Sequence, residues 1–470
     1  MNWDAFFDFI EVANRRRKEL TMEHNIACCY LTHNHPEIVE EVLGIVCEYY
    51  DKNGIDIYLY DSSTNNLTKE IFEKKKENGA DNLFYVKIDD KIGADGKMLQ
   101  VLKGYGIQKH YDYIWPNKDR AYVNKKTAER IRENSHKEYD SIFIDTWVPF
   151  EHERRKYKDV YEKEEFFKEF GWLATSWDTV LFGTKLLRET INWNVFEQEY
   201  SLGVGNNFNQ ILVLFGGLTL IECPKIRVLT GDDIQISDCE GVSSMWLPYI
   251  FDVWGKKWPN AIEMLPECYD EYKKEVIKKE GMHEVLFGSI NTLIYLRENG
   301  ILTEDSWSKV REEWELLSDI PKEYVEDILN KNYDKLIRNV FDDLNRALEK
   351  QDYDKAYFIF KRTSYLKAIL GNPNYWILNT CFDIYLAEVH SGKEPGIMYN
   401  IKSCNDLLNR YQRLKYYIRR LEYDIPNDGN MPLFCRNNCV TMEFLISVIN
   451  KESVDKNKVI YETEKVFTKG

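Results

Sequence analysis

The sequence predicts an α/β fold, a mostly parallel sheet with helices on both faces, followed by an all-α C-terminal module. Three observations carry this reading. Short apolar runs alternate with helical periods from residue 26 to about residue 145, several of these runs empty into polar clusters, and beyond about residue 268 glycine becomes scarce and amphipathic helical periods take over. Strands alternating with helices imply a parallel sheet, because parallel neighbours need a long crossover and crossover helices cover the sheet faces. A length of 470 residues provides two or three cores. A 14% aromatic share with 30% charged residues excludes a disordered or collagen-like chain.

The elements follow in order. Ile26 to Leu31 is an apolar run ending in Thr32, His33, Asn34, His35 and Pro36, and a helical period then carries Ile38, Val42, Ile45 and Val46. Asp56 to Tyr60 is a second strand ending in Asp61, Ser62, Ser63, Thr64 and Asn65, with a helix over Leu67 to Lys76. Leu83 to Ile88 is a third strand, Lys97 to His110 a helix, Tyr111 to Trp115 a fourth strand and Ser141 to Thr146 a fifth. The charged segment Glu151 to Glu169 reads as an exposed insertion or helix, and Gly231 to Trp258 as a loop-rich stretch with Trp246, Trp254 and Trp258. These tryptophans suit a core wedge or a sugar-stacking platform. The expected organisation is an amphipathic N-terminal helix over 1–24, the α/β domain over 25–267 and the helical module over 268–470. A tetratricopeptide-like helix pair near Ala347 to Thr363 has no second copy at a fixed period.

Charge and cysteine usage narrow the function. With 63 basic and 78 acidic residues the formal net charge is −15, which argues against a protein whose whole surface grips nucleic acid. No apolar stretch reaches membrane-spanning length; the best run, Ile211 to Ile221, suits a strand or core helix. The N-terminus places Phe6, Phe7, Phe9 and Ile10 before Arg15, Arg16, Arg17 and Lys18, unlike a signal peptide. Such a helix docks on the protein or rests on an anionic membrane surface. Ten scattered cysteines without a CxxC pair read as reduced thiols, so the expected location is cytoplasmic, with membrane association on the cytoplasmic face as the alternative.

Three motifs on strand ends carry the chemistry: Tyr30 to Asn34 (YLTHN), Tyr60 to Asn66 (YDSSTNN) and Tyr111 to Arg120 (YDYIWPNKDR). Ligands in open α/β sheets bind outside the carboxyl ends of the strands, where these clusters fall. Their order resembles the nucleotide-binding half of the glycosyltransferase family 2 enzymes. The GT-A domain of that family opens with a P-T-Y-N strand end, continues with V-D-D-G-S-T-D and later carries an F-L-D-x-D metal motif. The match covers about residues 25–230. The resemblance implies a GT-A fold and an inverting transfer from a nucleotide-diphosphate sugar, a UDP-sugar foremost, to a glycan, cell-wall polymer or glycoprotein. It implies that Asp61 accepts from the base, that Thr32, Asn34 and Ser63 line the same cleft, and that Lys97 in Ile92 to Lys97 approaches ribose or diphosphate. It places a Mn²⁺ or Mg²⁺ on Asp119, with Asn117, Lys118 and Arg120 around it.

Two departures matter. Asn117 stands where the metal motif has its first acid, and Asn206 and Asn207 stand where the family carries its catalytic base. Transfer to a hydroxyl needs a carboxylate within hydrogen-bond reach, and the candidates are Asp178 in TSWDTVLF, then Asp232 and Asp233 in TGDD, then Asp145. Plain structural roles compete with each: an Asx turn for Asp61, a surface ion pair for Asp119, a helix start for Asp178, and turn chemistry for His33 and His35. The helical module would bind the acceptor or build a homodimer, with Tyr411, Tyr416, Tyr417 and Tyr423 in packing or at that interface. The alternatives are a nucleotidyltransferase, disfavoured because THNHPE is neither glycine-rich nor basic, and a glycosyltransferase-like scaffold that has lost catalysis.

Overall fold

The computed structural model describes residues 24–145, 160–350 and 355, apart from 204, 232, 240–245 and 284. The expected helix over 1–24, except its last residue, the tetratricopeptide-like segment beyond Lys350, except Lys355, and the Tyr411 to Tyr423 stripe lie outside the described residues. The chain divides into two compact units, Met1–Gly281 and Met282–Gly470. The helix Asp270–Gly281 belongs to the first.

The first unit is built on an eight-stranded sheet of order β3-β2-β1-β4-β8-β6-β9-β7. Its leading half is β1 (Ile26–Thr32), β2 (Ile55–Asp61), β3 (Leu83–Lys87) and β4 (Tyr113–Lys118), all parallel. The other half comprises β6 (Ser141–Ile144), β7 (Val160–Tyr161), β8 (Val180–Gly183) and β9 (Ile226–Leu229). β8 runs antiparallel to both β4 and β6, so the sheet is mixed at its centre. A separate ribbon pairs β5 (Ala121–Val123) with β10 (Ile236–Asp238).

Every residue of β1 and β2 is buried, as continuous apolar runs in a two-sided parallel sheet require. Helices α1 (Pro36–Asp51), α2 (Leu67–Glu77) and α4 (Lys125–Ser135) contribute to the core over one face, where Val39, Val42, Val46, Ala128 and Ile131 meet Cys28, Tyr30, Ile57, Leu59 and Trp115. The alternate residues Cys29, Leu31, Tyr58 and Tyr60 face the other side, that of α3 (Ala94–Leu102).

The structure corrects one sequence expectation and sharpens two. α3 stops at Leu102 rather than at His110, because Gly104 (φ +75°) and Gly106 (φ +76°) turn the chain out of the helix. Of the two readings of the charged Glu151 to Glu169 segment, its described end takes the helical one: helix Lys163–Phe170 buries Phe166, Phe167 and Phe170. The stretch up to Trp258 is not wholly loop, because residues 247–263 are helical in succession, with a π-helical turn at Val253–Lys257. Trp258 there is fully buried, and its indole N–H donates to the Ile277 carbonyl at 3.3 Å.

The described part of the second unit is helical: Ile290–Glu298, Glu304–Ser308, Trp314–Leu317, Lys322–Leu329 and Tyr333–Glu349. Trp307 and Trp314 stack edge-on at 5.1 Å in its core. No described helix is long and apolar enough to cross a membrane.

Gly106 makes the end of α3 testable. A Cβ there would sit 2.8 Å from Val86 Cγ1 at a φ that side chains rarely adopt. Gly106→Ala is expected to lower unfolding free energy by about 1–3 kcal/mol, read from urea denaturation.

Candidate active site

The chain passes outward from β1 to β2 and β3, then crosses back to β4 on the other side of β1, which makes β1/β4 the topological switch point. The register sets Leu31 opposite Lys118, so the loop Thr32–His35 faces the turn at Asp119. One hydrogen bond spans the crevice, His35 Nδ1 to Asp119 Oδ2 at 2.8 Å. That bond raises the imidazole pKa above its ordinary value despite the opposing effects of burial and nearby Lys97 and Arg120. Lys97 lies almost wholly buried behind it, donating 2.7 Å to the Thr32 carbonyl. Burial lowers its pKa to about 8 against the pull of Asp119 and Asp61.

Asn34 holds the two strand-end loops together. It adopts φ +56°, a left-handed conformation that Asn tolerates. Its N–H donates to Ser63 Oγ at 2.7 Å, and its Oδ1 accepts from the Thr64 N–H at 3.0 Å and the Thr64 hydroxyl at 3.2 Å. Asp61 is fully buried; its Oδ1 accepts from the Ser63 N–H at 2.8 Å and its Oδ2 from the Tyr85 hydroxyl at 2.7 Å. Lys87 lies 3.8 Å away and also donates to the Ser63 carbonyl. The Asx turn that competes with a binding role for Asp61 is therefore present. Thr32 Oγ1 and Asn117 Oδ1 are buried and have no partner among the described residues, while Asn117 Nδ2 donates to Cys28 Sγ at 3.6 Å.

Lys118 and Asp178, predicted separately, are brought together. Asp178 is 3% exposed in the short turn Trp177–Thr179, and Trp115 Nε1 holds its carbonyl at 2.9 Å. Lys118 Nζ lies 3.3 Å from Asp178 Oδ2 and 2.7 Å from Ser176 Oγ, which itself donates to Asp178 Oδ1 at 2.5 Å. Arg120 points elsewhere, with Nε 3.1 Å from Asp238 Oδ2 on β10. Asp233 lies before β10, where its carbonyl accepts from Asn124 Nδ2 at the start of α4. Asp145 follows β6 and is buried, with its N–H on the Leu229 carbonyl. Asp232 lies outside the described residues.

Sequence reasoning gave no chemical role to four acids or bases. His35 looked like turn chemistry, because nothing local marks Asp119 as its partner. Asp95, in the first turn of α3, has its Oδ1 3.4 Å from Asn207 Nδ2, so a carboxylate adjoins the Asn pair, and burial raises its pKa. Lys257 completes that cluster with bonds of 2.7 Å to Asn207 Oδ1 and to the Gly205 carbonyl. Glu280 is buried 3.2 Å from the Thr175 hydroxyl, and burial pushes its pKa up to about 8.

Among the described residues no three His, Cys, Asp or Glu side chains converge as a metal-binding group. Asp119 Oδ1 makes no hydrogen bond to another described residue, and one carboxylate suffices for Mg²⁺ or Mn²⁺ when substrate phosphates and water supply the other oxygens. The donor set fits a divalent ion in that form.

No protein-family model matches the chain, and no curated protein matches it significantly. Solved structures do. Residues 1–349 of S. aureus TarS in complex with UDP-GlcNAc align at 15% identity over 66% of this chain and 89% of that one, with a TM-score of 0.42. The same TarS segment in complex with UDP aligns at 17% identity over the same shares, with a TM-score of 0.41. The mannosyltransferase PcManGT from Pyrobaculum calidifontis, in complex with GDP-Man and Mn²⁺, aligns at 12% identity over 67% of this chain and 88% of that one, with a TM-score of 0.36. Similarity at this level assigns neither substrate nor chemistry.

Asn34→Ala is expected to cost about 1–3 kcal/mol of stability by removing the loop-bridging amide at a left-handed position. Asn34→Gly separates the two effects: it tolerates the backbone and loses only the bridge. Equal losses in the two variants would show that backbone strain contributes nothing.

Proposed function

We propose that this protein is a glycosyltransferase that moves a sugar from a nucleotide-diphosphate donor to an acceptor hydroxyl with inversion. The observation that carries the reading is the convergence, at one switch point, of a buried lysine, a His–Asp pair and a lysine-bound aspartate. A departing diphosphate needs cations at its oxygens, and an attacking hydroxyl needs a carboxylate. Lys97 and His35 supply the first beside Asp119. Asp178 supplies the second.

The base of the nucleotide would lie against Asp61 and the Ser63 turn, with Thr32 at the ribose. UDP is favoured by the resemblance of the strand-end motifs. A Mg²⁺ or Mn²⁺ held by Asp119 would add electrostatic stabilisation of the leaving diphosphate. Asp178 takes the acceptor proton; Ser176 and Lys118 fix its two oxygens and orient it. Lys118 compensates the charge of the buried carboxylate before the proton moves. The acceptor is a glycan or glycosylated protein, and the helical C-terminal module is its platform or a homodimer interface. An acidic protein with a few local cations suits a small diphosphate better than a nucleic acid.

The test is turnover of UDP-sugars by the full chain. Asp178→Asn should lower kcat by about 10²–10⁴-fold while leaving nucleotide affinity within a few-fold, because a base acts on the acceptor and not on donor binding. Lys97→Met should instead weaken nucleotide binding. An Asp178→Asn variant with wild-type kcat would remove the assigned base. Nucleotide binding with no turnover in the wild type would favour the scaffold alternative, which the Asn residues at 117 and 207 motivate.

A further inference from the structure

The tryptophans ahead of helix Asp270–Gly281 divide by burial. Trp258 is fully buried, whereas Trp246 and Trp254 are only half-buried. Trp254 packs edge-on against Phe208 at 5.1 Å, Trp246 at 5.8 Å and Trp258 at 6.3 Å. Its indole N–H is buried and has no acceptor among the described residues. A buried N–H without an acceptor is costly, and an oxygen brought by a ligand relieves it.

Polar groups with unused capacity stand against that aromatic wall. Lys257, in the same π-helical turn as Trp254, donates at 2.7 Å to Asn207 Oδ1 and at 2.7 Å to the Gly205 carbonyl, and Asn207 directly precedes Phe208. Asn207 Nδ2 lies 3.4 Å from Asp95 Oδ1, and the Gly205 N–H bears on the same carboxylate. A carboxylate offers about four acceptor positions, so these two N–H groups leave some of them open. Lys257 keeps a hydrogen beyond its two bonds, and so does the Asn207 amide. Space adjoins the cluster: Asp95, Asn207 and Lys257 are partly exposed, and a Cβ added at Gly203 or Gly205 would meet no atom within 4 Å.

A sugar hydroxyl donates and accepts at once, so a pyranose matches a site that offers a carboxylate together with N–H donors. Its C–H face matches an indole. Asp95 and Lys257 balance each other in charge, which disfavours a phosphate as much as an ammonium ligand. We propose that Asp95, Asn207, Lys257 and Trp254 form a binding site for an uncharged pyranose of the acceptor. The helical run beginning at Asn209 supports both this site and the carboxylate assigned to deprotonate the acceptor. Asn209 Nδ2 donates to the Asp95 carbonyl at 3.2 Å, and Gln210 Nε2 donates to the Thr175 carbonyl at 3.2 Å, both side chains being buried. Ser176 follows Thr175, and its hydroxyl binds Asp178. Assigning the sugar to the acceptor rests on the transferase reading; the sugar site itself does not.

The experiment titrates the full chain with N,N′-diacetylchitobiose, maltose, cellobiose and mannobiose, followed by tryptophan fluorescence and saturation-transfer NMR, with glucose 6-phosphate as the charged comparison. At least one disaccharide should bind saturably, and more tightly than the phosphate. Asp95→Asn keeps the shape and loses the charge-assisted bond, so it should weaken that disaccharide about tenfold. Trp254→Phe keeps a ring and loses the N–H, and should weaken it several-fold while preserving the fold. UDP affinity should stay within a few-fold of wild type in both variants. In turnover, both should raise the KM for that disaccharide as acceptor and leave the donor KM unchanged. A wild type that binds none of the disaccharides, or wild-type affinity in both variants, would overturn the proposal. Tighter binding of glucose 6-phosphate than of every disaccharide would overturn it as well. So would a loss of kcat at unchanged acceptor KM in Asp95→Asn, because Asp95 would then act on the reacting proton. Disaccharide binding that both variants weaken, without UDP-sugar turnover by the wild type, would uphold the sugar site and remove the transferase reading.

Discussion

The register of β1 against β4 is the constraint on which the site depends. With Leu31 fixed opposite Lys118, the loop after β1 and the turn after β4 meet, and His35 reaches Asp119, 84 positions further along the chain. A shift by one residue would turn Lys118 away from Asp178 and put Asp119 out of register with His35, because alternate strand residues face opposite sides. Buried apolar side chains on both faces enforce the register, and β2 repeats it by pairing Thr32 with Asp61. Core packing therefore aligns polar groups that make no contribution to the core themselves.

The electrostatics of the site are balanced rather than simply basic. Lys97 is matched by Asp119 and Asp61, Lys118 by Asp178, and Arg120 by Asp238. Lys97, Lys118 and Arg120 therefore do not form one cationic patch: Lys97 is bound to the Thr32 carbonyl near two acids, Lys118 to Asp178, and Arg120 to Asp238 of the β5/β10 ribbon. Nearby acids offset the cost of taking these cations partly out of water. The glycine-and-asparagine loop that ends at Asn207 adds a second polar cluster, around Asp95 and Lys257, on the first turn of α3.

Much of this was legible in the sequence, for physical reasons. Apolar runs leading into Thr32 and Asp61 mark strand ends directly, because burial and turn chemistry are local properties, whereas the fourth strand runs on past the expected Trp115 to Lys118. Side chains whose role depends on a distant partner were not legible: His35 needs Asp119, and Lys118 needs Asp178, 60 positions away. Glu280 was hidden by its setting. In YDEYKKEVIKKEG a glutamate reads as a solvated face, and only the packed structure shows that it faces Thr175. The short antiparallel strand Val180–Gly183 carries no periodicity of its own, and the end of α3 was missed because Gly104 and Gly106 act through backbone conformation.

The central claim is that the β1/β4 crevice binds a nucleoside diphosphate. It is tested most directly by thermal unfolding of the full chain with UDP, GDP, CDP or dTDP, each with Mn²⁺ and with EDTA. A ligand that binds only the native state adds about 2.7 kcal/mol at 100 times its Kd. The account predicts that at least one diphosphate raises the midpoint and that Lys97→Met abolishes the rise. A midpoint unmoved by all four nucleotides, or moved equally in the Lys97→Met variant, would contradict it.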